Sequence, residues 1–296
     1  MTSPEGSEPA RKEADEIPDH TSVGSVTTSP SLSSTSGVDR LSLTSLYLKL
    51  HFGEEQLGTA TGFVVKYADH PYLITNWHVF SGRRTDDGQP IHKKCGIPNV
   101  VRIAHHTGEL GNWVFRREPL EDANGKRLWF EHPRGSEVDV AALRLTKAPA
   151  GARFYALDMD RLAKPDFATP PGTAVSVIGF PLGLRPNLFF GVWKTGHIAS
   201  DVDLREDSFL IDATTKEGMS GSPVIARQWR DYTAYVPSDT PGGVRAIAQI
   251  TRALETKFLG IYSGRIRDDI EIGTVWKPKV IREVLRIASG REPGAE

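Results

Sequence analysis

From Thr44 onward the chain is divided into short apolar runs that are bounded by Gly, Pro, Asn or Asp. The runs are rich in β-branched and aromatic residues, which favour strands. They read TSLYLKLHF, GTATGFVVKY, YLITNWHVF, VVRIAHH, VDVAALRL, TAVSVIGF, FFGVWKTGHIAS, SFLIDATT, SPVIA and KFLGIYSG. Many short strands with turn residues between them predict an all-β fold of antiparallel barrels or sandwiches.

One helix is predicted, at about residues 278–289. Pro278 suits a first helical turn and Gly290 ends the pattern. The apolar stripe between them consists of Val280, Ile281, Val284, Leu285 and Ala288. Three polar stretches, at about 81–99, 116–136 and 227–256, are predicted to be long surface loops.

Residues 1–42 are rich in Ser, Thr, Pro, Gly and Glu, and their apolar residues are scattered singly. Such a segment cannot bury enough surface to offset the entropy of ordering, so it is predicted to be a disordered tail. The whole chain has 296 residues, 39% of them hydrophobic, which suffices for a sizeable core. We therefore expect a folded region at residues 43–290.

Composition argues against several classes of function. The 36 Lys and Arg nearly balance the 37 Asp and Glu, so no global field favours nucleic acid or an anionic membrane. No apolar run approaches the roughly 18 residues of a membrane span. Cys95 is the single cysteine and no signal-peptide pattern is present, which predicts a cytoplasmic protein.

Three short motifs carry the chemistry: NWHV around His78, VDVA around Asp139 and GMSGSP around Ser220. Acyl transfer needs a hydroxyl nucleophile, an imidazole that takes its proton, and a carboxylate that orients the imidazole. Each motif lies where a strand is predicted to give way to a turn, which is where a scaffold presents side chains to a cleft. His78, Asp139 and Ser220 are therefore the candidate catalytic residues.

The glycines around Ser220 predict a second part of the same site. Gly218 and Gly221 bracket a tight turn, so the amides of Gly218 and Ser220 can converge on a developing oxyanion. The nucleophile elbow of α/β-hydrolases also exposes a serine between glycines. Here Ser222 replaces its second glycine, and Pro223 is followed by a strand pattern where the elbow needs a helix.

Each candidate also has a structural interpretation. Ser220 could be a turn serine, His78 a packed core histidine, and Asp139 a strand-start cap, with Glu137 or Asp122 nearby as the alternative catalytic carboxylate. A metal site is not predicted, because the spacing of His92, Cys95, His105 and His106 fits no standard zinc pattern and HExxH is absent. No cofactor is expected, since no phosphate-cradling glycine loop is present.

With these motifs in order, the chain resembles the chymotrypsin- and trypsin-like serine peptidases, in particular the bacterial cytosolic, HtrA-like and glutamyl-endopeptidase-like branches. The likeness covers about residues 45 to 290 and includes GTATGFVV, VIGFPLG and FLGIYSG besides the three motifs. It implies two antiparallel six-stranded β-barrels, at about 43–150 and 165–275, and a C-terminal helix. It also implies that His78, Asp139 and Ser220 form the catalytic triad in the crevice between the barrels.

The resemblance implies a substrate site as well. Thr214 and Thr215 match positions before the serine that line the specificity pocket, and Ser263, Gly264 and Arg265 match the strand edge that pairs with an extended substrate. Thr214 does not support a preference for basic residues.

The sequence thus predicts a serine endopeptidase that acts on a restricted intracellular protein or peptide substrate. Two alternatives stay open at this point: a catalytically inactive peptide-binding or scaffold module of the same fold, and a latent protease that needs a partner protein for activation. Neither nucleic acid nor a membrane is an expected partner.

Overall fold

The structure is a computed structural model that describes residues 37–145, 150–184, 189–202, 206–240, 243–267 and 270–290. The predicted tail lies mostly outside these residues. Its last part is described, and Arg40–Leu43 forms a 3-10 helix that Asp39 caps. Regular structure therefore begins slightly before the predicted boundary at residue 43.

An N-terminal sheet contains seven antiparallel strands in the order β5-β4-β1-β2-β3-β7-β6. The bounds are β1 Ser45–Phe52, β2 Glu55–Tyr67, β3 His70–Thr75, β4 Val100–His106, β5 Trp113–Pro119, β6 Trp129–Glu131 and β7 Ala141–Arg144. Six strands were predicted for this half, and the sheet contains seven. The three-residue strand β6 lies in a stretch that was predicted to be a loop. A short helix, α1 Trp77–Ser81, follows β3 directly.

The second half is a closed six-stranded barrel in the order β10-β13-β12-β11-β8-β9. Its strands are β8 Ala174–Gly179, β9 Val192–Ile198, β10 Ser208–Asp212, β11 Pro223–Thr240, β12 Gly243–Arg265 and β13 Ile272–Trp276. The helix α2 Met159–Ala163 precedes it and α3 Pro278–Ala288 follows it. The all-β, chymotrypsin-like architecture with a C-terminal helix is confirmed.

The loop prediction at 227–256 is wrong, and the one at 116–136 is wrong in part, because that stretch contains the end of β5 and all of β6. Residues 227–256 belong to β11 and β12, which extend beyond the barrel as a long antiparallel hairpin. The described side chains of this stretch, at 227–233 and 250–256, are mostly exposed, so polarity alone did not distinguish a solvated ribbon from a loop.

The core has one cluster within each half and two that cross between the halves. One of these two joins Phe63 and Ile74 of the sheet to Ile225 of the barrel and to Val280 and Leu285 of α3. These side chains are at most 1% exposed. The C-terminal helix therefore fixes the sheet and the barrel relative to each other, and the functional motifs lie where the two halves meet.

Candidate active site

His78 and Asp139 meet because the strands that precede and follow them are paired. Thr75, at the end of β3, lies opposite Ala141, at the start of β7. His78 Nδ1 lies 2.7 Å from Asp139 Oδ2. The backbone amide of His78 donates to the other carboxylate oxygen, Oδ1, at 2.8 Å. The carboxylate thus holds both the backbone and the ring of the histidine.

The pKa of His78 lies above its ordinary value. Burial alone lowers this pKa, but the charge of Asp139 and the hydrogen bond to its carboxylate together outweigh burial. Since an ionised carboxylate only accepts, Nδ1 carries the ring proton and Nε2 is left to take another. His78 is therefore arranged as a base whose protonated form is stabilised.

Two further side chains hold Asp139, which is 3% exposed. The Ser263 hydroxyl donates to Asp139 Oδ2, and Asn76 Nδ2 donates to the Asp139 backbone carbonyl at 2.7 Å. A β-bulge between Tyr262 and Gly264 takes Ser263 out of the ladder with β13. Bulges re-aim side chains beside functional sites. No local sequence pattern signals this contact of Ser263.

The glycines of the serine turn have the conformation that the sequence predicts. The backbone φ of Gly218 is +88° and that of Gly221 is +87°. A Cβ on Gly218 would overlap the Phe180 carbonyl oxygen, and one on Gly221 would overlap the Thr61 carbonyl oxygen. Only glycine combines this backbone conformation with such close approach.

Two amides of the turn, those of Gly218 and Ser220, are not used in hydrogen bonds that hold the turn. In a planar trans peptide the N–H points opposite to the preceding C=O. The carbonyl before Gly218 accepts from the Leu182 amide at 2.6 Å, and the carbonyl before Ser220, that of Met219, accepts from the Ser222 amide at 3.0 Å. The amides of Gly218 and Ser220 donate to no atom among the described residues. Both are therefore available for an anionic oxygen.

Thr61 braces the other carbonyls of the turn. Its amide donates to the Ser220 carbonyl at 2.9 Å, and its hydroxyl donates to the Gly218 carbonyl at 2.7 Å. The same hydroxyl accepts from the Phe180 amide at 3.1 Å. Thr61 and Phe180 lie in the GTATGFVV and VIGFPLG motifs, so the sequence contained a signal for these residues, although it did not reveal their contacts.

The Ser220 side chain is half-buried beside these groups. A Cβ on Gly264 would lie 3.9 Å from Ser220 Oγ, and the next residue back, Ser263, contacts Asp139. Ser220 thus lies beside the residue that follows Ser263, the side chain that contacts Asp139. Its hydroxyl makes no hydrogen bond to His78 or to any other described residue. Such contacts are often long in structures without substrate.

The predicted substrate residues differ in their surroundings. Thr214 is exposed, whereas Thr215 is 1% exposed and its hydroxyl is hydrogen-bonded to the Tyr262 hydroxyl. Burial raises the pKa of Tyr262, opposed in part by this hydrogen bond. Gly264 and Arg265 pair with β13 at the end of β12. Thr215 thus contacts the protein interior, and Gly264 lies beside Ser220.

Among the described residues, no group of three or more His, Cys, Asp or Glu side chains could hold a metal ion. His105 and His106 are buried in β4, whereas Cys95 is exposed. None of the helices in the described ranges has the length and apolarity needed to cross a membrane.

A model of the trypsin-like peptidase domain matches residues 60–230 of the chain, a range that includes all three motifs. No curated protein matches it. Among solved structures, an inactive form of Rv3671c from M. tuberculosis H37Rv is 16% identical, with a TM-score of 0.47, covering 92% of this chain and 99% of that one. The serine endoprotease from Yersinia pestis is also 16% identical, with a TM-score of 0.47, covering 85% of this chain and 65% of that one.

Proposed function

The chain belongs to the trypsin-like peptidase family and is a serine endopeptidase, and from that premise we propose that it cleaves peptide bonds through a Ser220–His78–Asp139 triad. The observation that carries the proposal is the pair of contacts from His78 to Asp139, of 2.7 and 2.8 Å, beside the glycine-bracketed turn of Ser220. This arrangement fixes the tautomer that general-base catalysis needs.

The proposed reaction begins when Ser220 Oγ attacks the carbonyl carbon of the scissile peptide and its proton passes to His78 Nε2. Asp139 stabilises the imidazolium through the Nδ1 hydrogen bond. The electron pair displaced onto the carbonyl oxygen is stabilised by the Gly218 and Ser220 amides. Collapse of this tetrahedral intermediate breaks the C–N bond, and His78 gives its proton to the leaving amine.

Water completes the cycle by the same route. His78 takes a proton from the water as it attacks the acyl ester on Ser220, and returns the proton to Ser220 Oγ when the ester bond breaks. The carboxylic acid product then leaves. Ser263 and Asn76 act as positioning residues, because they hold Asp139 and do not touch the reacting atoms.

The test is cleavage of a mixed peptide library, followed by mass spectrometry. Ser220→Ala should abolish cleavage. Ser222→Ala is the matched control, because Ser222 lies in the same turn, is fully buried and has a hydroxyl without a hydrogen-bond partner. Equal cleavage by the Ser220→Ala variant and the native chain would refute the assignment.

We further propose that the substrate is a restricted intracellular protein and that a partner protein assists activation. The free, exposed thiol of Cys95 supports an intracellular setting, where thiols stay reduced. Activity that rises when the purified chain is added to lysate of its source cell would support a partner; equal activity with and without lysate would contradict one.

A further inference from the structure

The long hairpin of β11 and β12 forms part of the barrel at one end. At the other end it extends beyond the barrel as a two-stranded ribbon. Only Val224–Ala226 of β11 pair with β8, and only Ile261–Arg265 of β12 pair with β13. From the Arg227–Thr256 pair to the Thr240–Gly243 pair, the two strands pair with each other alone among the described residues. At roughly 3.3 Å per residue this ribbon reaches about 45 Å.

The two faces of the ribbon have different surroundings near the barrel. On one face, Arg230 donates to the Asp166 carbonyl at 2.7 Å and Lys257 donates to the Phe167 carbonyl at 2.9 Å. This inner face therefore lies against the segment that precedes β8. Because side chains alternate along a strand, the opposite face carries Arg227, which contacts Asp39 and Trp193 beside the barrel, and beyond it an outward face that begins at Trp229.

The outward face carries large apolar side chains in solvent. The exposed fraction is 57% for Trp229, 43% for Leu254 and 76% for Ile250. Single exposed apolar residues are common, but a contiguous group on one strand surface marks an interaction site. A ribbon with open edges is also a site where another chain can associate.

The register orders this outward face into three rows. Trp229 lies opposite Leu254 nearest the barrel, Asp231 lies opposite Arg252 in the middle, and Thr233 lies opposite Ile250 farthest out. The middle row is charged, with Asp231 and Arg252 68% and 67% exposed. Their closest oxygen and nitrogen are 3.8 Å apart, so the pair is loose.

We propose that this outward face, defined by the three rows, binds the same face of a second copy of the chain. A two-fold axis through the middle row places Asp231 of one copy opposite Arg252 of the other. This axis runs along the ribbon between β11 and β12, so it places Trp229 of one copy over Leu254 of the other and Thr233 of one copy over Ile250 of the other. The face is thus complementary to itself in charge and in apolar surface, as an isologous interface requires.

Self-complementarity favours a second copy over a partner of different chemistry. A partner of one charge sign would meet both an exposed acid and an exposed base in the middle row, and one of them would be left without a favourable contact. A second copy satisfies both. This inference does not depend on the identity of the catalytic residues.

Sedimentation velocity on the full chain tests the proposal. The native chain should dimerise with a Kd below about 100 µM. Asp231→Arg and Arg252→Asp should each weaken the dimer by about tenfold or more, because like charges then face each other. Thermal unfolding should be unchanged, since both side chains are exposed.

The decisive experiment mixes the Asp231→Arg chain with the Arg252→Asp chain. Each variant lacks the charge pair within its own chain, but a face with two bases then meets a face with two acids. A mixed dimer should therefore form in a 1:1 ratio. A native chain that stays monomeric, or a mixture that stays monomeric while the native chain dimerises, overturns the proposal.

A second pair of variants tests the apolar rows. Ile250→Thr keeps a β-branched residue and should weaken the dimer by about tenfold. Phe52→Thr is the matched control, because Phe52 is 55% exposed in β1, outside the proposed face. Equal effects of the two substitutions would contradict the proposed face.

Discussion

The consecutive histidines His105 and His106 should make the fold sensitive to acid. They lie in β4 and are 1% and 3% exposed. The His105 ring contacts Phe154, and the His106 ring stacks on Phe190 and contacts Tyr155. Neither Nδ1 atom has a hydrogen-bond partner among the described residues. Protonation of either neutral ring would therefore create a poorly solvated positive charge.

Burial lowers the pKa of each ring from 6.5 to about 4; for His105 the charge of Arg116 adds to the effect. The unfolded chain then binds more protons than the folded chain, so the free energy of unfolding decreases as the pH is lowered. The contribution is fully present above the unfolded pKa of 6.5 and is lost progressively as the pH falls toward the folded pKa of about 4. Between about pH 7 and about pH 5 each histidine should cost about 2 kcal/mol, and the pair about 4 kcal/mol.

The assay is urea unfolding at about pH 7 and about pH 5, with the native chain and the His105→Leu/His106→Leu variant. Other groups titrate equally in both chains, so the difference between their pH-dependent losses isolates the two histidines. The native chain should lose about 4 kcal/mol more than the variant. A difference of under about 1 kcal/mol would refute the assignment of two neutral, buried rings.

The remaining predictions concern the site. Asp139→Asn should lower kcat on the order of 10⁴-fold, because the tautomer of His78 is no longer fixed. In the native chain, kcat/KM should fall with decreasing pH through an apparent pKa raised by Asp139, since His78 must be neutral to act as a base; an unshifted value in a pH–rate profile would contradict the pairing. Ser263→Ala should lower kcat by about 10- to 100-fold with little change in KM, as expected for a lost hydrogen bond to a charged group, and Ser263→Thr should restore part of the rate. Thr61→Val should lower kcat by loosening the oxyanion turn; an unchanged rate would show that the turn does not need its hydroxyl.

Much of the fold could be predicted because its signals are local. The short β-rich runs, the apolar stripe of α3 and the glycines at 218 and 221 each follow from a few adjacent residues. The proximity of His78 and Asp139 depends on the pairing of β3 with β7, which sequence alone suggests only through the family resemblance. Once the strands are paired, the 2.7 Å contact follows from their register.

What could not be predicted depends on distant contacts. The Ser263 hydroxyl contacts Asp139 only because of a bulge in β12, and bulges leave no reliable trace in composition. The hairpin at 227–256 was predicted to be a loop because its sequence is polar, and polarity does not distinguish an exposed ribbon from a loop. Thr215 was expected to line the substrate site, whereas its buried hydroxyl is hydrogen-bonded to the Tyr262 hydroxyl. For Ser263 and Thr215, partners in other segments of the chain decided the outcome.

The most direct test of the central claim needs no knowledge of the substrate. The purified chain would be treated with a fluorophosphonate, which reacts with activated serine nucleophiles, and read by intact mass and peptide mapping. We predict a single adduct on Ser220 that is lost in Ser220→Ala and His78→Ala and kept in Ser222→Ala. An adduct on another serine, or labelling that persists without His78, would contradict the proposed triad.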